Sequence, residues 1–134
     1  MFACLIFGDS IGVGTAQAVH RQYHGRCEVQ AIERATTAQI LSWQPPARIF
    51  GTSVLSMGSN DQAGEQLRKN LLRIRMRILT RRAIWILPYS RPQAYIISRI
   101  AVAFGDETID LARFATIDRI HPQRYGDLAA ALLK

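Results

Sequence analysis

An apolar run that breaks off at a glycine constrains this chain most. Phe2-Ala3-Cys4-Leu5-Ile6-Phe7 is apolar throughout and stops at Gly8-Asp9-Ser10. A continuous apolar run ended by glycine predicts a strand buried on both faces, the kind found in parallel sheets. Helical spacing follows over residues 13–23, so Ser10 is expected in the turn between a strand's carboxyl end and a helix's amino end. In open α/β sheets ligands bind at that edge, and a helix amino terminus favours negative charge. Ser10 there fits a nucleophile, but taken alone it fits a plain helix cap better.

The chain is long enough, at 134 residues, for one domain with its own core. Apolar residues make up 49% and charged residues 20%, which excludes a disordered chain, and no apolar run is long enough to span a bilayer. A first strand at Phe2 leaves no room for a leader. The chain as written is therefore expected to be cytoplasmic, to leave by a route without an amino-terminal signal, or to have lost a leader already. The two cysteines, Cys4 and Cys27, each lie in an apolar run and are read as buried free thiols. His20 and His24 share a helix face, but no further ligand gives them zinc spacing, so neither metal nor cofactor is expected. The net charge of +7 favours anionic partners such as nucleic acid, acidic glycans or anionic lipid head groups, without choosing among them.

Further along, the pattern alternates. Strands are expected over 27–32, 49–57, 83–87 and 108–111. Helices are expected over 13–23, closed at His24-Gly25-Arg26; from Thr36 or Thr37 through Trp43, ended by Pro45-Pro46; and over 62–82, 93–104 and 122–133. This order predicts a three-layer α/β/α sandwich around a parallel five-stranded sheet, with right-handed crossovers, as one domain over residues 1–134.

Three polar clusters then fall at one edge of that sheet: Gly8-Asp9-Ser10, Gly58-Ser59-Asn60-Asp61, and Asp118-Arg119-Ile120-His121-Pro122. Serine acyl transfer needs a base, a carboxylate to orient it, and donors for the oxyanion. His121 is the one histidine outside the first helix, Asp118 precedes it by three, and Asn60 brings an uncharged amide. These three blocks, in this order, resemble the signature blocks of the GDSL, or SGNH, hydrolases, and the resemblance runs over essentially the whole chain. It implies a flavodoxin-like fold and hydrolysis of esters without a cofactor. Ser10 would be the nucleophile, His121 the base and then acid, and Asp118 its partner. Ser10 N–H and the Asn60 amide would be oxyanion donors. Gly8, Asp9, Gly58 and Asp61 match the blocks, the two aspartates as braces for turns and helix starts.

The second block departs from the family pattern. Ile32-Glu33-Arg34-Ala35-Thr36-Thr37 has Arg34 where a glycine N–H usually serves as third oxyanion donor. The N–H survives the change; the geometry is in question, since a non-glycine residue resists positive φ. Short loops suggest an open site, suited to a short acyl ester on a larger or anionic carrier such as an O-acylated glycan or a lipid. The alternative is a catalytically weak domain of this fold that binds an anionic glycan or a protein partner. A nucleotide binder is disfavoured because no glycine-rich phosphate loop is present. In the basic helix over 62–82, Leu67, Leu71, Ile74 and Ile78 form a core face. Its arginines read as a solvated surface, with no nucleic-acid partner expected. Leu72, Met76 and Leu79 form a second stripe, to be covered by a neighbouring element or by a second copy in a homodimer.

Overall fold

The computed structural model describes residues 4–23, 27–44 and 46–132. Strand alternation builds its core. Strands β1 (Cys4–Gly8), β2 (Cys27–Ala31), β3 (Phe50–Ser56), β4 (Thr80–Leu87) and β5 (Glu107–Asp110) form one parallel sheet in the order β2-β1-β3-β4-β5. On one face Leu5, Phe7, Leu55, Trp85 and Leu87 pack beneath α2 (Thr37–Leu41), α3 (Glu65–Arg77) and α4 (Arg91–Phe104). On the other, Ile6, Val54, Ile84 and Ile86 pack beneath α1 (Ser10–Tyr23) and α5 (Tyr125–Leu132). Both faces are covered, as the unbroken apolar strands require. The expected five-stranded α/β/α sandwich is what the chain forms, and its strand order is the flavodoxin-like one.

This order has a switch point. The chain leaves β1 to pair β2 on one side of it, then returns through α2 to pair β3 on the other. The crevice at the carboxyl ends of β1 and β3 is where such sheets hold ligands. Gly8, Ala31 and Ser56 end their strands in register there.

Several boundaries move. Ser10 is the first residue of α1 rather than part of the preceding turn. The long helix stops at Arg77, because Thr80, Arg81 and Arg82 are drawn into β4, with Thr80 and Arg82 pairing Phe50 and Thr52 of β3. Leu79 therefore lies beyond the helix, and Leu72, Met76 and Leu79 do not make one helical stripe. Leu72 packs against its own core, while Met76 is 71% and Leu79 54% exposed. The strand start at Phe2, the helix stop at His24-Gly25-Arg26, Pro45 and the helix end at Leu133 lie outside the described residues.

The cysteines are a correction. Cys4 and Cys27 are not free; they form a disulfide. They are register partners at the first positions of adjacent strands, with Cα atoms 4.6 Å apart, a separation that a disulfide spans. Each is half-buried. Strand register brought them together, and register is invisible to a count of cysteines. Among the described residues, no helix is long and apolar enough to cross a membrane, and no group of three or more potential ligands could hold a metal ion.

Candidate active site

Gly8 makes the first turn possible. Its φ is 146°, and a Cβ there would lie 1.7 Å from the carbonyl oxygen of Ser56, so only glycine lets β1 end this close to β3. Asp9 N–H then donates to Ser56 O at 2.8 Å. The Asp9 side chain turns inward and is fully buried. Its Oδ1 accepts from Ile11 N–H at 3.1 Å and Ser56 Oγ at 2.9 Å, and its Oδ2 from Ser59 Oγ at 3.0 Å. Burial pushes this carboxyl above the ordinary range, against the pull of those donors. Asp9 thus ties the start of α1 to β3 and to the loop after it.

Ser10 follows at the amino terminus of a 14-residue helix. Its N–H, first in the helix, has no intrahelical acceptor. Ser10 Oγ lies 2.8 Å from His121 Nε2, although 111 positions separate the two residues. His121 Nδ1 lies 2.8 Å from Asp118 Oδ2. A neutral imidazole that donates Nδ1–H to Asp118 fits both contacts and turns the Nε2 lone pair towards the serine hydroxyl.

The loop carrying His121 organises itself. Asp118 Oδ1 accepts from Ile120 N–H and His121 N–H, at 2.9 and 2.8 Å. These donors, with the His121 ring foremost, hold the Asp118 carboxyl far below the usual range. Thr116 Oγ1 donates to His121 O at 2.7 Å and accepts from Arg119 N–H at 2.9 Å. Gln123 N–H donates to Ala115 O at 2.7 Å, closing the base of the loop. Tyr125 then seats the loop against α1. Its ring occupies the space beside Gly14, where a Cβ would come within 2.4 Å of it. Gly14 is one helical turn past Ser10, so this contact lies near the hydroxyl. Burial pushes the Tyr125 phenol up to about 12.

The remaining blocks meet one another at the carboxyl ends of β2 and β3. Arg34 stands third in a turn closed by Ala35 N–H to Ile32 O, and its φ is +63°, the left-handed conformation that glycine favours. Asn60 Nδ2 donates to Ala35 O at 3.0 Å, which joins its loop to the Arg34 turn. Asp61 accepts from Thr37 N–H and Thr37 Oγ1, at 3.0 and 2.5 Å, fixing the start of α2 to the same loop. Thr36 caps α2 in a capping box with Gln39. Gly58 takes a φ of 102° two residues past the end of β3.

The structure thus brings Ser10, Asp118 and His121 into one hydrogen-bonded series, with Arg34 and Asn60 in tied loops at the same sheet edge. Ser56, Ser59, Thr116 and Tyr125 are structural members of this site to which the sequence reading gave no role. The first two were hidden because a serine in a strand or turn gives no sign of the carboxylate it meets. A threonine two residues before Asp118 and a tyrosine four after His121 carried a faint sign in their spacing alone.

No protein-family model matches the chain, and no curated protein matches it significantly by sequence. Solved structures do resemble it. A member of the lipolytic G-D-S-L family from Veillonella parvula has a TM-score of 0.69 at 15% identity, covering 99% of this chain and 97% of that one. A GDSL-like lipase from Bacteroides thetaiotaomicron has 0.62 at 12%, covering 98% and 84%. The carboxyl-terminal catalytic domain of peptidoglycan O-acetyltransferase A from Streptococcus pneumoniae, solved with a methylsulfonyl adduct, has 0.59 at 15%, covering 98% and 92%. At these identities the likeness is one of architecture: the chain has the fold of the G-D-S-L lipolytic proteins.

Proposed function

We propose that the protein is a serine ester hydrolase of the SGNH type, acting through an acyl-enzyme on Ser10. The observation that carries this reading is the series Ser10 Oγ, His121 Nε2, His121 Nδ1 and Asp118 Oδ2, in which both hydrogen bonds are 2.8 Å. As Ser10 Oγ attacks the ester carbonyl, its proton passes to His121 Nε2, and the imidazolium is stabilised by the ionised Asp118. The oxyanion is met by N–H groups of Ser10 and Arg34 and by the Asn60 amide, at the positive end of α1. Collapse breaks the bond to the alcohol, which leaves with the proton from His121. Water then attacks the acyl-enzyme by the same relay and releases the acid.

Arg34 and the short loops are the features that favour a binding-only domain, and the left-handed φ of Arg34 argues against that alternative. Its backbone follows the course that a glycine would take, so its N–H remains usable. The open surroundings of the serine suit a short acyl group on a larger carrier. The Cys4–Cys27 disulfide supports work in an oxidising compartment over the cytoplasm.

A fluorophosphonate probe tests the assignment. It should label the wild-type protein at Ser10 and leave Ser10→Ala unlabelled, and hydrolysis of short aryl esters should be lost in the same variant. Equal labelling of the two proteins would overturn the nucleophile.

A further inference from the structure

We infer that Asn70, a buried amide on α3, is a positioning residue for the oxyanion donors. Through the Thr37 hydroxyl and Asp61 it fixes the Asn60 amide against the Arg34 turn. The inference rests on the acyl-enzyme reading and adds a residue that serves it from within the core.

Asn70 interrupts an apolar face. Leu67, Leu71 and Ile74 on the same side of α3 are packed in the core, and Asn70 among them is only 5% exposed. A leucine would fill such a position, and a buried amide costs free energy unless its donors and acceptors are met. Here they are met. Asn70 Oδ1 accepts from Gln66 Nε2 at 2.8 Å, and Asn70 Nδ2 donates to Thr37 Oγ1 at 3.0 Å. The first bond stays within α3; the second leaves the helix for a residue that belongs to the site.

The direction of that second bond matters, because a threonine hydroxyl has one proton to give. With Asn70 donating to the Thr37 oxygen, the proton is directed to Asp61 Oδ2, 2.5 Å away, while Thr37 N–H donates to Asp61 Oδ1. Thr37 opens α2, a helix of five residues that is too short to hold its own start. Asp61 follows Asn60 directly, and its carbonyl accepts from Gln93 Nε2 of α4 at 3.0 Å. Asn60 Nδ2 gives one N–H to Ala35 O, in the Arg34 turn, and has a second N–H for an oxyanion. Ser59, which precedes Asn60, is bonded to Asp9 beside Ser10. Asn60 thus sits between two ties, one to the neighbour of the nucleophile and one that Asn70 completes. Without Asn70 the Thr37 hydroxyl is free to rotate, and the second tie loosens while the first holds.

Oxyanion donors act on the transition state more than on the bound ester, so the loss should fall on kcat. Asn70→Leu keeps the volume without the donor. It should lower kcat about tenfold and leave KM within about twofold, with kcat normalised to the fraction of Ser10 that a fluorophosphonate labels. Thr37→Val should do the same, and the double variant should be no worse than Thr37→Val alone, since both changes cut one chain of bonds. An unchanged kcat in Asn70→Leu, a loss carried by KM, or losses that multiply in the double variant would overturn the inference. A turnover-independent arm separates failure here from failure of the esterase reading. In Ser10→Ala, adding Asn70→Leu should shift or broaden the NMR signals of the Asn60 side-chain amide and leave those of the His121 ring in place. Unmoved Asn60 signals, or equal changes at His121, would overturn the positioning role whatever the protein does with esters. A wild type that turns over no ester, with the Asn60 signals moving as expected, would overturn the esterase reading and leave Asn70 as the residue that places Asn60.

Discussion

The two halves of the candidate site are built in opposite ways. Gly8-Asp9-Ser10 is part of the core: Asp9 is fully buried, and its bonds reach into β3 and the loop beyond. Residues 116–121 stand largely in solvent and are held by bonds within their own loop. A serine set directly after a core strand cannot drift without disturbing the fold. A histidine on a self-bonded loop can be displaced while the fold survives. Stability and activity should therefore separate along this division.

The largest effect belongs to the buried half. In Gly8→Ala the new methyl would lie 1.7 Å from a backbone oxygen, with φ in a region that L residues rarely adopt. Neither β1 nor β3 can give way without losing register. The loss should reach about 4–5 kcal/mol or more, a large share of the 5–15 kcal/mol typical of a domain. Thermal unfolding followed by circular dichroism should find the variant unfolded or close to it. A Tm within a few degrees of wild type would end the claim that this half is inseparable from the core.

Next comes the exposed half. Asp118→Asn puts an amide where His121 Nδ1–H now donates, which favours the tautomer whose Nε2 carries a proton and cannot accept one from Ser10. The kcat for an ester should fall by about 10³–10⁴-fold, as loss of the orienting carboxylate does elsewhere, with Tm nearly unchanged. A variant that unfolds along with its loss of activity would erase the distinction between the halves.

The two aspartates also titrate in opposite senses. The Asp9 carboxyl is raised above its ordinary 3.8, so its contribution to stability is fullest below that pH and is lost as pH rises through the folded value. Asp118 is lowered from the same 3.8, so its contribution is present above that pH and is lost as pH falls through the folded value. The Tm deficit of Asp9→Asn relative to wild type should be widest in acid and narrow towards neutrality. Any deficit of Asp118→Asn should be small, because the group is exposed, and should narrow in acid. Parallel trends from pH 3 to 7 would contradict the contrast in environment.

The division also explains what the sequence could reveal. Strands buried on both faces announce themselves as apolar runs, so the sheet and its carboxyl edge were legible, and with them the meeting of Ser10 with residues 108 and 111 positions further along. Contacts set by register were not legible. Cys4 meets Cys27, and Ser56 meets Asp9, only once strand pairing is known. The end of α3 at Arg77 was hidden for a related reason: helical spacing continues past it, but pairing with Phe50 claims Thr80 for the sheet. In the exposed loop, Asp118 and His121 were readable from their spacing, whereas the left-handed Arg119 and the bracing by Thr116 follow from a local turn that the residue types leave open.

Arg34 gives the smallest effect and the finest test of the contrast, because its turn belongs to neither half. It hangs on β2 at the sheet edge, yet it is tied to the core side through Asn60 and Ala35. A left-handed φ costs an L residue about 1–2 kcal/mol, and glycine would remove that strain. Glycine also gives the unfolded chain more freedom, which costs about 0.5–1 kcal/mol. The two nearly cancel, so Arg34→Gly should move stability by no more than about 1 kcal/mol. If the backbone N–H is what meets the oxyanion, kcat should also be preserved. Arg34→Val keeps the N–H but opposes positive φ through its branched side chain, and should lower kcat by about tenfold or more as the turn shifts. A fall in kcat that is equal in the glycine and valine variants would mean that the guanidinium itself, and not the shape of the turn, serves the site.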